Sequence, residues 1–491
     1  MKRNTALWIL WIGLTLMGAG TVFAKLYIGG DRSVLLPGQT AGAHHQLEIA
    51  CETCHTSKPF ASQAKLRKDI NKTCETCHKD ELKAADDSHP KKKFTNPRMA
   101  SYWEKVDGRF CTTCHSEHQP EVTLPMMLTL QGDYCVACHS EGEQDIRKDR
   151  ESHADLTFDT CASSGCHNYH DNRALYEDFL VKHGQDPWLA DHAVIPVAAL
   201  PAPPRAGSAD EIAAYLAAVD APANSLDDQI AQDWAASAHA AADVTCSGCH
   251  APEEDIAWTD HPDQGVCSDC HKPQAKSFSG GRHGMRGHAK ISKPRDAKKQ
   301  LKALGWKDAP EGLITALETY LGDPVPPAAM TTDEARVELR DDAHGQGMEC
   351  TACHKPHREE PDFAAIGACL TCHDDDHSRA YEGSPHHDLW LAEQAGDGPA
   401  GSGVTCATCH MPQEEKKGFA LTNHNQNDTL RPNEKMIRPV CMSCHGLGFA
   451  IDALADPALI ANNFSGQPSR HIESIDWALK RVETPEKGAN Q

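Results

Sequence analysis

The sequence predicts a mostly α fold with short helices, long loops and little β. Three observations predict it. Alternating apolar and polar runs bounded by turn formers, which would mark strands, are few. The helical stretches are short and separated by Pro and Gly turns. A short cysteine motif recurs along the chain, often at close intervals that leave little room for long elements.

The 22 cysteines are all used in that motif. Ten pairs read Cys-x-x-Cys-His: Cys51 and Cys54 with His55, Cys74 and Cys77 with His78, Cys111 and Cys114 with His115, Cys135 and Cys138 with His139, Cys246 and Cys249 with His250, Cys267 and Cys270 with His271, Cys350 and Cys353 with His354, Cys369 and Cys372 with His373, Cys406 and Cys409 with His410, and Cys441 and Cys444 with His445. An eleventh is widened, Cys161-Ala-Ser-Ser-Gly-Cys166-His167. Two thiols at this spacing followed at once by His are the attachment signature of c-type haem. Each thiol adds across one vinyl group, and the histidine reaches the iron as its proximal ligand. A disulfide framework does not explain eleven histidines placed directly after the second cysteine. Zinc would pair the motifs in fours and would not require that histidine. The expected cofactor is therefore haem c, eleven copies covalently attached.

Histidine counting agrees. Of 30 histidines, 19 remain after the motifs, enough to give every iron a second imidazole. The candidate distal ligands are His44 (or its neighbour His45), His89, His118, His153 and His170 in the first half. In the second they are His239, His283, His344, His386 and His424. An iron with two histidines carries electrons but binds no substrate until a ligand leaves.

At 491 residues the chain is long for one domain, against a prior of roughly 150 residues per domain. Aromatic content is 6% and mean hydropathy is −0.54, too little apolar side chain for an ordinary core of this size. The haems are expected to supply much of the buried apolar surface, so that the apoprotein does not fold. The net charge of −22 disfavours nucleic acid as a partner. The expected partners are redox proteins or a quinol-linked membrane complex, with a small anionic substrate and an oligomer left open.

Residues 1–24 begin Met1-Lys2-Arg3 and run uncharged from Asn4 to Ala24, ending in Val22-Phe23-Ala24. This is an export signal, consistent with haem attachment outside the cytoplasm. The apolar run 6–24 is also nearly long enough to span a bilayer, so cleaved signal peptide and retained membrane anchor both stand. The expected location is periplasmic. Residues 25–200 form a five-haem module. The Pro/Ala-rich run 195–204 reads as an extended linker, with the boundary near 200–207. Residues 208–491 form a six-haem module. It opens on a helix over 208–221, with Ser208 as N-cap and Ile212, Tyr215, Leu216 and Val219 on one face. Lys91-Lys92-Lys93 with Arg98 reads as a solvated basic loop or a partner dock. Between Arg282 and Lys307 nine Lys and Arg face a single acid, Asp296, which reads as an exposed basic helix or an electrostatic guide for an anion.

Gly403-Val-Thr-Cys406-Ala-Thr-Cys409-His410-Met411-Pro412 resembles the Cys-x-x-Cys-His-Met-Pro motif of ammonia-forming pentahaem nitrite reductases and of the hydroxylamine oxidoreductase family. Thr422-Asn423-His424 follows where those families place a distal histidine. Cys372-His373-Asp374-Asp375-Asp376-His377 is similar to a segment in which an Asp-His pair faces the catalytic haem, and Ser384-Pro385-His386 to the Ser-x-His element after it. The resemblance covers residues 239–491; residues 44–170 resemble multihaem cytochromes c in general. It implies a catalytic role for His377 as proton donor, since a histidine titrates in the working range, with Asp376 holding it. The residues alone read His377 as one more iron ligand; with the resemblance the two readings stand level. Two departures bear on the implied activity: no Cys-x-x-Cys-Lys occurs, and no Tyr follows Cys441. Hydroxylamine oxidation through a cross-linked Tyr is thereby disfavoured. The expectations are an electron-carrying cytochrome or a reductase of nitrite, hydroxylamine or a related small nitrogen oxide. A conducting filament joined through terminal histidines such as His44 or His471 is a third.

Overall fold

The computed structural model describes residues 3–25, 36–57, 61–85, 89, 91–119, 127–130, 134–139, 168–171, 177–185, 208–222, 225, 227–253, 255–289, 291, 298, 301–302, 306, 308–315, 329–416, 419–430 and 433–483. The expectations at Cys161, Cys166, His167 and His153 lie outside them, as do most of the basic run after Lys290.

The fold is mostly α, as expected. Among the described residues the strands form one antiparallel hairpin, Gln413–Lys416 against Phe419–Thr422, with Gln413 opposite Thr422. Most helices are one or two turns long, because a Cys-x-x-Cys-His motif occupies many of them. The two longest run to 21 and 23 residues. Arg3–Phe23 is largely apolar after its first turn and exposed along its length. Gln63–Ala85 carries Cys74, Cys77 and His78 within it.

The helix expected after the linker spans Ala209–Ala217. Ser208 caps it in a reciprocal box with Glu211, satisfying two end amides. Ile212, Tyr215 and Val219 pack on Trp234, Ala235 and Ala240 as their 3–4 spacing requires. Leu216 stays 36% exposed.

The largest apolar cluster lies at the C-terminal end. Leu180, Ile437, Leu447, Ala450, Ile451, Ile475 and Ala478 meet there. Its helices are Glu177–His183, Leu447–Leu454 and Ser474–Glu483. The first lies before the Pro/Ala-rich linker in sequence, yet packs with the end of the chain. Among the described residues the apolar core consists of three clusters.

The two halves also meet through polar contacts. The buried Arg286 guanidinium donates to both Glu334 oxygens at 2.6 and 2.9 Å, and its amide to Gln46 Oε1. Arg336 donates to Glu48 at 2.6 Å and to the Thr40 carbonyl. Lys435 donates to Glu81 at 2.6 Å. Arg286, read from sequence as part of an exposed basic run, is thus an internal tie; its long stem and bidentate fork suit that place better than open solvent.

Candidate haem sites

Each described motif is a helical turn. Cysteines three apart fall on one side of it, and the histidine amide closes it onto the first cysteine carbonyl, at 2.8–3.0 Å for His55, His115, His139, His271, His354, His373 and His445. Thr245 and Thr405, each directly before a motif cysteine, cap the Cys246–His250 and Cys406–His410 turns through their hydroxyls. Among the described residues no cysteine is consumed in a disulfide.

Opposite every described motif histidine stands a second histidine. The pairs are His55 with His118, His78 with His44, His115 with His170 and His139 with His89. In the second half they are His250 with His357, His271 with His239, His354 with His424, His373 with His283, His410 with His377 and His445 with His386. Ring centroids are 5.9–6.4 Å apart in all ten. That is too far for contact between the rings. Two metal–nitrogen bonds of about 2 Å, plus the distance from each nitrogen to its ring centre, give roughly 6.3 Å. The residues therefore fit a six-coordinate iron at each place, with two thiols alongside for covalent attachment.

Burial favours the neutral, ligating form at several of these rings. Burial pushes His283, His386 and His410 down to about 4, because an imidazolium loses hydration there. The neutral ring binds metal. The Nδ1 side is fixed by backbone carbonyls: Gly38 for His118, Met127 for His115, Tyr169 for His89, Pro356 for His239, Thr259 for His250, Ile460 for His377 and Thr422 for His424, at 2.6–3.2 Å. Such outer partners set tautomer and ring orientation.

Local structure explains how each second histidine arrives. His118 and His357 each follow a motif by three residues but face another motif's histidine. His424 is returned to His354 by the hairpin, and its amide donates to Ser277 Oγ at 3.0 Å. His377 and His386 flank Phe464, 6.1 Å from each ring. Phe464 and Asn463 both adopt left-handed backbone, φ 59° and 53°, which a bulky residue occupies only under constraint from its surroundings.

Several sequence expectations change place. His344 is a surface residue, 74% exposed, beside Asp333 at 3.0 Å; the position opposite His250 is held by His357. The sequence signal for His357 was available, since Cys350-x-x-Cys-His354-x-x-His357 repeats the spacing of Cys111 to His118. Of the two neighbours, His44 faces His78 while His45 turns to Met330 Sδ at 3.2 Å. Asp376 does not hold His377. Its carboxylate is 81% exposed and pairs with Arg379 at 2.6 Å, and the His377 ring is held by the Ile460 carbonyl. From Cys51 to Cys111 and from Cys246 to Cys441, neighbouring motifs adjoin in chain order. Thiols meet between Cys74 and Cys111, Cys267 and Cys350, and Cys369 and Cys406. Cys54 neighbours Cys77, Cys249 neighbours Cys267, Cys353 neighbours Cys369, and Cys409 neighbours Cys444.

Residues 43–140 match the family model of cytochrome c3. The chain is a multihaem c-type cytochrome. It is also similar to the high-molecular-weight cytochrome c of Nitratidesulfovibrio vulgaris, 28% identical over 221 residues. That match takes in 44% of this chain and 33% of the relative, so the chain aligns with about a third of the relative's length. No solved structure matches the chain. The cytochrome c3 match lies over the region holding the first four motifs, and there the cytochrome places His44, His89 and His118 opposite motif histidines.

Proposed function

We propose that this cytochrome is an exported carrier of electrons with eleven haems c, each held between two histidines. The observation that carries the reading is the set of ten histidine pairs at one separation, 5.9–6.4 Å. His55, His78, His115, His139, His250, His271, His354, His373, His410 and His445 would hold the proximal side. His118, His44, His170, His89, His357, His239, His424, His283, His377 and His386 would hold the other, and the paired cysteines the porphyrin edge. Haem c bound there supplies a one-electron iron couple, and a row of such couples supplies a path for electrons. The chain's own work is to fill both axial positions, to orient the imidazoles, and to bring neighbouring attachment turns together in sequence order. The apolar Asn4–Phe23 helix, exposed along its length, fits an export signal or an anchor and with it a periplasmic location.

The alternative is reduction of a small nitrogen oxide, in a second half descended from the hydroxylamine oxidoreductase and nitrite reductase lineage. The Cys406-to-Pro412 motif favours it. Against it, a histidine stands opposite every described motif histidine, and His377, the implied proton donor, takes that place for His410. Electron paramagnetic resonance of the oxidised protein, with and without nitrite, tests the choice alongside a haem count. Eleven haems, low-spin at these sites and indifferent to nitrite, are expected. A high-spin signal that responds to nitrite would replace the carrier reading with the reductase.

A further inference from the structure

One of the ten pairs is built unlike the others. The His78 ring nitrogen Nδ1 lies 3.0 Å from Glu81 Oε2. Its partner His44 has Nδ1 2.5 Å from Glu117 Oε1. Of the ten described pairs this is the one with a carboxylate on both imidazoles. Seven others have at least one ring held by a neutral backbone carbonyl. His283–His373 and His386–His445 are buried, with Asp375 near His373; burial and neighbouring histidines act on His283 and His386, and burial on His445.

Both carboxylates are themselves held in place. Glu117 accepts the Ala41 amide at 3.0 Å through its other oxygen. Glu81 sits one turn beyond His78 on the Gln63–Ala85 helix and accepts Lys435 at 2.6 Å from the second half of the chain. Glu117 is half-buried, and Glu81, though 52% exposed, is tied at a second point by Lys435.

The physical consequence has a sign. A carboxylate that accepts the Nδ1 proton makes the opposite nitrogen a stronger electron donor to the metal. Stronger donation, with negative charge nearby, favours ferric over ferrous iron. Second-position hydrogen bonding is one of the levers by which a protein sets a haem potential. Here the lever acts on both axial ligands at once. Lys435, a positive charge on Glu81, acts in the opposite sense and only on one side.

We propose that Glu81 and Glu117 are positioning residues that make the Cys74–Cys77 haem the most reducing site of the ten described, the last to take its electron. It rests on the axial pairing of His44 with His78 read above. The placement gives it a role. Cys77 neighbours Cys54, and Cys74 touches Cys111, so this haem stands in the middle of the first three. Through Glu81 and Lys435 it also stands where the two halves join, six residues before Cys441. The step hardest to reduce is thereby set at a crossing point of the chain.

The test is a reductive spectroelectrochemical titration of the full-length holoprotein and of Glu81→Gln, Glu117→Gln and the double variant, each isosteric. Each single change is expected to raise the equilibrium constant of the last reduction step about tenfold, about 59 mV for a one-electron couple, and the double variant further. Lys435→Gln is expected to move the same step the other way. A last step that stays in place in the double variant, with haem content and low-spin spectrum intact, overturns the proposal; so does movement of a different step. His44→Ala separates the proposal from its foundation. If it turns one haem high-spin while the glutamate variants leave the last step unmoved, the tuning fails alone. If it leaves every haem low-spin, the pairing fails and the tuning with it.

Discussion

Replacing His357 by Ala removes the imidazole facing His250 across 5.9 Å. The two rings are nearly parallel, 10° between planes, as two ligands aligned on one axis would be. His357 lies in a groove of about 370 Å³ lined by Ile230, Asp233, Thr351, His354, Lys355, Pro356 and Arg358. Apart from His354, which faces His424, none of these is a strong iron ligand while Lys355 is held by Glu360 at 2.6 Å. His239 lies near but already faces His271. If it crossed over, it would open that site instead. Whichever ring moves, the His250 and His271 sites share a single second imidazole, so one iron per chain opens. The assay is titration of the reduced protein with carbon monoxide, together with the high-spin signal of the oxidised form. The variant is expected to bind one carbon monoxide per chain beyond the parent and to convert one haem to high spin. Unchanged binding, or two or more additional sites, would refute the pairing of His250 with His357.

Three further predictions follow from packing and charge. Ile437, 1% exposed in the C-terminal cluster, should cost about 2–5 kcal/mol when cut to Ala; faster amide exchange in 447–454 and 474–483 is the readout, and unchanged exchange there contradicts the cluster. Glu334→Gln leaves the buried Arg286 guanidinium without its charged acceptor and should cost about 1–3 kcal/mol, read as added exchange in 40–48 and 329–340. Asp456 accepts from the Ser469 hydroxyl and amide and from the Leu459 and Ala458 amides, which hold its carboxyl down at about 2. A depressed carboxylate stabilises the fold fully above its unfolded value near 4 and loses that contribution as pH falls through about 2. The stability advantage of the parent over Asp456→Asn is therefore expected to be constant above pH 4 and to vanish near pH 2; an advantage that grows on acidification would reverse the sign argued here.

The haem attachment sites were legible in the sequence because their chemistry is local. Two thiols and a histidine within five residues must share one helical turn, and that turn forms in the same way at Cys51, Cys267 and Cys441. The mostly α class was legible for a related reason: short motif turns and Pro/Gly breaks leave little room for strands. Ser208 was legible as a cap because capping is a contact between residues three apart. The second histidine of each pair was less so. His118 lies three residues after His115 and serves His55; His377 lies four after His373 and serves His410. Spacing along the chain could nominate such residues but could not say which motif they face, and it passed over His357 while favouring the exposed His344. The partner is chosen by how separate turns pack, through ties such as Ile460 to His377 and the hairpin that returns His424. The same packing decided that Asp376 joins Arg379 rather than His377, that Arg286 is internal, and that the motifs from Cys246 to Cys441 follow one another in space as they do in the chain. These are contacts between residues far apart in sequence, and only tertiary structure brings them together.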